Sequence, residues 1–159
     1  MGTVKNINNA IQHSSGTYFK LIGADDELAD EYTLEHAAAA LEKSPDGIIT
    51  GDVIKCDAEM NPIGKYADRL QYKLNIMTTR ECFAQLCIHN DIIAGGVFFT
   101  REFFSIFGPF DERYRLLEDW PMWLRVVRRG GRIMYDSFWS IKYRADVGFG
   151  TSVNPIYMS

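Results

Sequence analysis

The stretch Thr17–Glu27, TYFKLIGADDE, runs through apolar residues with little alternation and ends in two adjacent carboxylates, Asp25 and Asp26. A run without period-two alternation predicts a strand over Thr17–Ile22 that is covered on both faces, as in a parallel sheet. The acid pair then falls at the carboxyl end of that strand, ahead of a helix-forming segment. Two readings of the pair stand side by side. Acidic residues commonly open helices, where they complement the macrodipole. Paired carboxylates beyond a buried strand also suit Mg²⁺ or Mn²⁺, which take few oxygen ligands from protein and leave the rest of the shell to water and phosphate.

Working outward, Val4–His13 reads as a short helix broken by Ser14-Ser15-Gly16. Asp30 is placed to cap a helix to Lys43, with Leu34, Ala37, Ala38 and Leu41 on one stripe and Ser44-Pro45-Asp46-Gly47 as its stop. Gly47–Cys56 is the next strand, and Asn61-Pro62-Ile63-Gly64 reads as a turn. Thr78-Thr79-Arg80-Glu81 has the spacing of a capping box and opens a helix to His89. Ala94–Thr100 is a short apolar strand, followed by helical turns to Phe107 and the stop Gly108-Pro109.

Asp119 stands in N-cap position for a helix with Pro121 in its first turn and Arg128-Arg129-Gly130 at its end. Trp120, Trp123, Leu124 and Val127 form its inner stripe. Arg132–Asp136 and Phe138–Arg144 read as two closing strands, and residues 145–159 as a polar, Gly-containing tail expected to be mobile. Strands alternating with helices predict an α/β domain with a mixed sheet and at least one hairpin.

The chain has 159 residues, 47% hydrophobic and 24% charged, which fits one ordinary globular domain. A net charge of -4 offers no basic footprint for a nucleic-acid partner. Cys56, Cys82 and Cys87 are odd in number and show no CxxC spacing, so neither a disulfide framework nor a zinc site is indicated. The longest apolar runs fall well short of the roughly 18 residues of a spanning helix, and no basic-then-apolar leader is present; a soluble, cytoplasmic chain is expected.

Glu118-Asp119-Trp120 carries the second acid pair. A carboxylate mounted at a helix start can act as a general base, or it can simply cap the helix. Arg113, Arg115, Arg125, Arg128, Arg129, Arg132, Lys142 and Arg144 gather positive charge in the last third; helix termini and solvated surface account for most of it, and Arg144, at a strand end, is the one placed to meet an anion. His13, His36 and His89 lie apart without ligand spacing. Phe103, Phe104, Phe107 and Phe110 read as core, and no base partner for a cysteine nucleophile is evident.

Taken in order, SGTYFKLIGADDEL (15–28), GIITGD (47–52), GPFDERYRLLEDWPMWLRVVRRGGRIMY (108–135) and the late Tyr143-Arg144 resemble the family 2 glycosyltransferases of the GT-A type. The resemblance implies a GT-A mixed sheet flanked by helices and an inverting sugar transfer. The donor would be a nucleoside-diphosphate sugar and the acceptor the hydroxyl of a saccharide or lipid-linked saccharide, in polysaccharide or glycoconjugate assembly. It implies Asp26 as the ligand of Mg²⁺ or Mn²⁺ with Asp25 assisting, Asp119 as the base with Glu118 supporting it, and Gly95, Gly96, Trp120 and Arg144 on the substrate side. It also allows peripheral contact with the inner membrane surface.

The sequence departs from the family pattern at three places. Gly23-Ala24 stands where a further Asp is common, and Tyr143-Arg144-Ala145-Asp146 replaces a Tyr-Arg-x-His element. The resemblance begins just before the metal-motif strand, so residues 1–144 are expected to form the C-terminal part of the catalytic domain, with the half that holds base and ribose missing. Weak donor binding, slow turnover and self-association through exposed sheet edges follow as expectations. A competing reading keeps the fold and drops the chemistry: a non-catalytic binding or assembly module. A metal-assisted phosphoryl transferase has less support, because no P-loop is present.

Overall fold

The computed structural model describes residues 2–66, 70–114 and 117–145. Six strands form one mixed sheet: β1 (Tyr18–Lys20), β2 (Glu27–Leu28), β3 (Ile48–Cys56), β4 (Pro62–Lys65), β5 (Val97–Thr100) and β6 (Met134–Arg144). Their order is β1-β5-β3-β6-β2, and β4 pairs with the far half of β3. β5 runs antiparallel to both β1 and β3, while β6 runs parallel to β3. Strands β1, β3 and β6 therefore point the same way, and their carboxyl ends share one end of the sheet. The start of β5 lies at that same end.

Helices cover both faces. α2 (Thr33–Leu41) packs on one face through Ala37, Ala40 and Leu41 against Ile49, Phe98 and Phe138. The other face carries the larger core, in which α1 (Thr3–His13), α3 (Thr79–Leu86), α4 (Arg101–Phe107) and α5 (Asp119–Arg128) place Val4, Leu86, Phe103, Phe107, Trp123 and Val126 around Ile48 and Phe99. Neighbours along a strand point to opposite faces, so Ile48 and Ile49, like Phe99 and Phe98, divide between the two cores. Uniform apolarity in β3 and β5 thus reflects cover on both sides. β1 differs from its expectation: it is short, antiparallel to its neighbour and stands at the sheet edge among the described residues.

Other differences have local causes. The turn expected at Asn61–Gly64 forms earlier, because Asp57 Oδ1 accepts the backbone N–H of Glu59 and of Asn61, and Met60 takes a left-handed φ of 67°. Pro62–Lys65 is then free to pair with β3 as the hairpin strand β4. The two closing strands are one strand, β6; its register against β3 slips on either side of Asp52, so that Asp136 and Ser137 are absorbed without a turn. Gly51 makes room for this, since a β-carbon there would lie 2.9 Å from the Phe138 carbonyl oxygen. α2 ends at Leu41 rather than Lys43, and α3 at Leu86 rather than His89.

The capping box at Thr78 is present in full: Glu81 N–H donates to Thr78 Oγ1, and Thr78 N–H donates to Glu81 Oε2. Gly108, at a φ of 83°, ends α4 as a position that favours glycine. Asp30 does not cap α2: Tyr32 takes the N-cap position without a side-chain cap bond, and Asp30, two residues earlier, accepts the Tyr32 N–H in the turn that leads into the helix. Residues 146–159, including most of the expected tail and Asp146, lie outside the described residues, and so does Arg115. No described helix is long and apolar enough to cross a membrane.

Candidate active site

A cleft of 540 Å³ opens at the end of the sheet where β1 and β6 finish and β5 begins. Lys20, Gly23, Asp26, Gly95, Glu118, Asp119, Trp123 and Tyr143 are among its walls. The two acid elements, some 90 residues apart in the chain, thus meet across one cavity. Their meeting follows from topology: β1 delivers Asp26 to the carboxyl end of the sheet, and α5 begins over the same end.

Asp26 is half-buried, and its Oδ1 accepts the backbone N–H of Arg144 at 3.3 Å. Its Oδ2 accepts no hydrogen bond among the described residues. Burial, together with the neighbouring Asp25 charge, pushes its carboxyl above the usual range, while the Arg144 N–H, Lys20 and the Arg144 guanidinium oppose this. Asp25 is exposed and does not line the cleft. Among the described residues no three His, Cys, Asp or Glu side chains gather as a closed metal cage. An open oxygen site built on one carboxylate with a free oxygen fits Mg²⁺ or Mn²⁺, which retain water and substrate oxygens in most of their shell.

Opposite stands the start of α5. The structure shifts the cap by one residue: Glu118 takes the N-cap position without a side-chain capping bond, and Asp119 is the first helical residue. Asp119 Oδ1 accepts the Trp120 N–H at 2.7 Å, and Oδ2 accepts the side-chain amide of Asn90 at 2.7 Å. Burial raises both acids above their ordinary values, and for Glu118 the adjacent Asp119 charge adds to this. Two indoles fix the helix end: Trp120 Nε1 donates to Leu86 O at 2.6 Å and Trp123 Nε1 to Ile92 O at 3.3 Å. Asn8 of α1 clamps the preceding loop by exchanging side-chain bonds with the Phe110 backbone, each 2.9 Å.

The substrate-side residues divide. Gly95 lines the cleft; a β-carbon there would come within 2.4 Å of Ile141 Cδ1 and 3.8 Å of Asp26 Oδ2. Gly96 packs instead against β3, its β-carbon position lying 3.1 Å from Gly51 O. Trp120 does not line the cleft, since its N–H is committed to Leu86. Arg144 reaches Asp26 through its backbone N–H, and its Nε is buried without a partner among the described residues.

The sequence profile described as Glycosyl transferase family 2 matches residues 1–107. The chain belongs to that family. The glycosyltransferase match takes in the Asp25-Asp26 element and Gly95-Gly96, and it stops before Glu118. The chain is also similar to a protein named "PGL/p-HBAD biosynthesis glycosyltransferase" from Mycobacterium bovis (strain BCG / Pasteur 1173P2), at 31% identity over 126 residues. The protein of the same name from Mycobacterium tuberculosis (strain ATCC 25177 / H37Ra) shows the same identity over the same length. Each match covers 78% of this chain and 43% of the relative, so the chain spans less than half the length of these glycosyltransferases. The mixed sheet flanked by helices is consistent with part of a GT-A glycosyltransferase domain.

Sequence reasoning missed Lys20, which lines the cleft, and Asn90, which lies outside its lining and reaches the site through Asp119. Lys20 sits inside an apolar run and Asn90 in a loop, and neither belongs to a spaced pattern. A lone lysine inside an apolar run, six residues before Asp26, is the one signal the sequence offers.

Proposed function

We propose that the chain carries the metal-diphosphate and base side of an inverting sugar transfer from a nucleoside-diphosphate sugar to an acceptor hydroxyl. The observation that carries this reading is the convergence of Asp26 and Asp119 on one cleft. Asp26 would hold Mg²⁺ or Mn²⁺ through its free oxygen, with Asp25 close by in sequence to assist. When bound, the cation supplies charge to offset that developing on the leaving diphosphate.

The protein's own groups do the rest. Asp119 accepts the proton of the acceptor hydroxyl as that oxygen attacks the sugar carbon. Burial helps here, because a carboxyl raised toward neutrality is a stronger base than an ordinary one. Asn90 and the Trp120 N–H hold its two oxygens in place. Glu118, half-buried beside it, supports the same charge balance. Gly95 leaves the cleft wall without a side chain next to Asp26. The Arg144 N–H orients Asp26, and its guanidinium adds positive charge on the diphosphate side. The role in PGL/p-HBAD biosynthesis that the relatives' names carry supports an acceptor of the glycoconjugate class.

The test is donor hydrolysis and transfer with Mn²⁺, comparing the parent with Asp26→Ala and Asp119→Asn. Both variants are expected to lose at least about a hundredfold in rate, within the usual contribution of a general base or a metal ligand. Variants that match a measurable parent rate contradict the assigned roles and favour a non-catalytic module with the same fold.

A further inference from the structure

Lys20 occupies a position in the cleft that the proposed reaction leaves unexplained. Its ammonium donates to the Gly95 carbonyl and, at 3.4 Å, to the Val97 carbonyl, and it lies 4.1 Å above the centroid of the Phe98 ring. The pairing of Lys20 with Phe98 in the β1–β5 register sets this placement. A flexible lysine is thereby tied down on three sides, inside the cavity that also holds Asp26. Carbonyl oxygens and a ring face attract a cation, yet none carries a full negative charge. The full charge nearest in effect is Asp26, whose attraction opposes the burial that pushes the Lys20 amine down to about 7.

We propose that Lys20 is a positioning residue that acts as the resident counter-cation of Asp26, so that the cleft disfavours a bare divalent cation and favours one that arrives paired with a diphosphate. This rests on the reading of Asp26 as the metal ligand. The reasoning is electrostatic. A divalent ion approaching Asp26 alone meets the ammonium's repulsion in a partly desolvated site, where charges are poorly screened. A diphosphate brings negative charge that turns the same ammonium into an attraction. One fixed positive charge thus acts with opposite signs on the two parts of the ligand. Its anchoring to Gly95 and Val97 keeps it from swinging away to solvent.

The opposite signs make the test. Binding of Mn²⁺ alone, and of inorganic pyrophosphate alone, is measured by calorimetry on the chain at a pH below 7, where the amine is charged. The comparison uses Lys20→Gln, which keeps a donor for the Gly95 carbonyl, and Lys20→Arg, which keeps the charge; thermal melts confirm folding. Lys20→Gln is expected to bind Mn²⁺ roughly three- to tenfold more tightly and pyrophosphate more weakly by a similar factor, the size of an interaction worth up to about one pK unit. Lys20→Arg is expected to resemble the parent in both.

Weaker binding of both ligands by Lys20→Gln marks a purely structural role and overturns the proposal, as does no change in either. Lys20→Arg behaving like Lys20→Gln overturns it as well. Should Lys20→Gln fail to fold, Lys20→Met is measured against the same two signs. If the parent and Asp26→Ala bind Mn²⁺ equally, the metal reading of Asp26 fails and takes this inference with it. That outcome is distinct from a parent that needs Asp26 and is indifferent to Lys20.

Discussion

Asn90 donates its side-chain amide to Asp119 Oδ2 at 2.7 Å, joining the loop after α3 to the first residue of α5. A neutral donor to a carboxylate favours the charged form, and this bond works against the burial that raises the Asp119 carboxyl. Asn90→Ala is therefore expected to raise that carboxyl further and to move the acidic limb of a pH–rate profile to higher pH. Loss of orientation should also lower kcat about tenfold with little change in KM for the donor. A pH profile and a kcat that both match the parent would remove Asn90 from the site.

The same burial has a cost for folding. A carboxyl whose folded value lies above its unfolded value binds protons more readily in the native state, so stability falls as pH rises through that interval. Asp119 and Glu118 are both of this kind. Asp119→Asn, which abolishes the base, is expected to raise Tm near neutral pH by about 2–4 °C, the change that about 1 kcal/mol produces in a domain of this size. The advantage should shrink in acid, where the parent is protonated. Thermal melts at several pH values read this directly.

Gly95 is expected to tolerate no side chain. An added β-carbon meets Ile141 Cδ1 at 2.4 Å, and Ile141 is fully buried in β6. Gly95→Ala should destabilise the chain by about 1–3 kcal/mol, as overpacking does. Removing the clashing methyl with Ile141→Val in the same chain should recover part of that loss. A double-mutant cycle in denaturant gives the coupling, and additive effects would place the strain elsewhere.

Lys20 gives a pH dependence of opposite sign to the carboxyls. Burial holds its amine down to about 7, against 10.5 when unfolded, so above about 7 the unfolded chain binds more protons and stability climbs with pH. Cys82, raised from 9.0 to about 11 by burial, produces the reverse slope above its unfolded value. The rise due to Lys20 should therefore be visible between about pH 7 and pH 9, and Lys20→Met should flatten it. Chemical denaturation across that window supplies the measurement.

What could be read from the sequence follows the range over which each signal acts. The capping box at Thr78, the stop at Gly108 and the strand at Ile48–Cys56 are written in a few adjacent residues, and they appear where expected. The acid pairs were visible because each stands at an element boundary, and the structure brings Asp26 and Asp119 to one cleft. Lys20 and Asn90 could not be read in this way, since their partners are Gly95 O and Asp119, chosen by strand register and helix packing. β6 misled for a similar reason. Asp136-Ser137 resembles a turn in sequence, and only the glycine opposite, Gly51, lets the strand continue through a bulge.

The central claim is that Asp26 holds the cation while Asp119, across the same cleft, serves the acceptor and not the cation. It is tested most directly by titrating Mn²⁺ together with a nucleoside diphosphate into the parent, Asp26→Ala and Asp119→Asn. The account expects Mn²⁺-dependent binding in the parent, its loss in Asp26→Ala, and its retention in Asp119→Asn. Equal Mn²⁺-dependent binding by the parent and Asp26→Ala would contradict it.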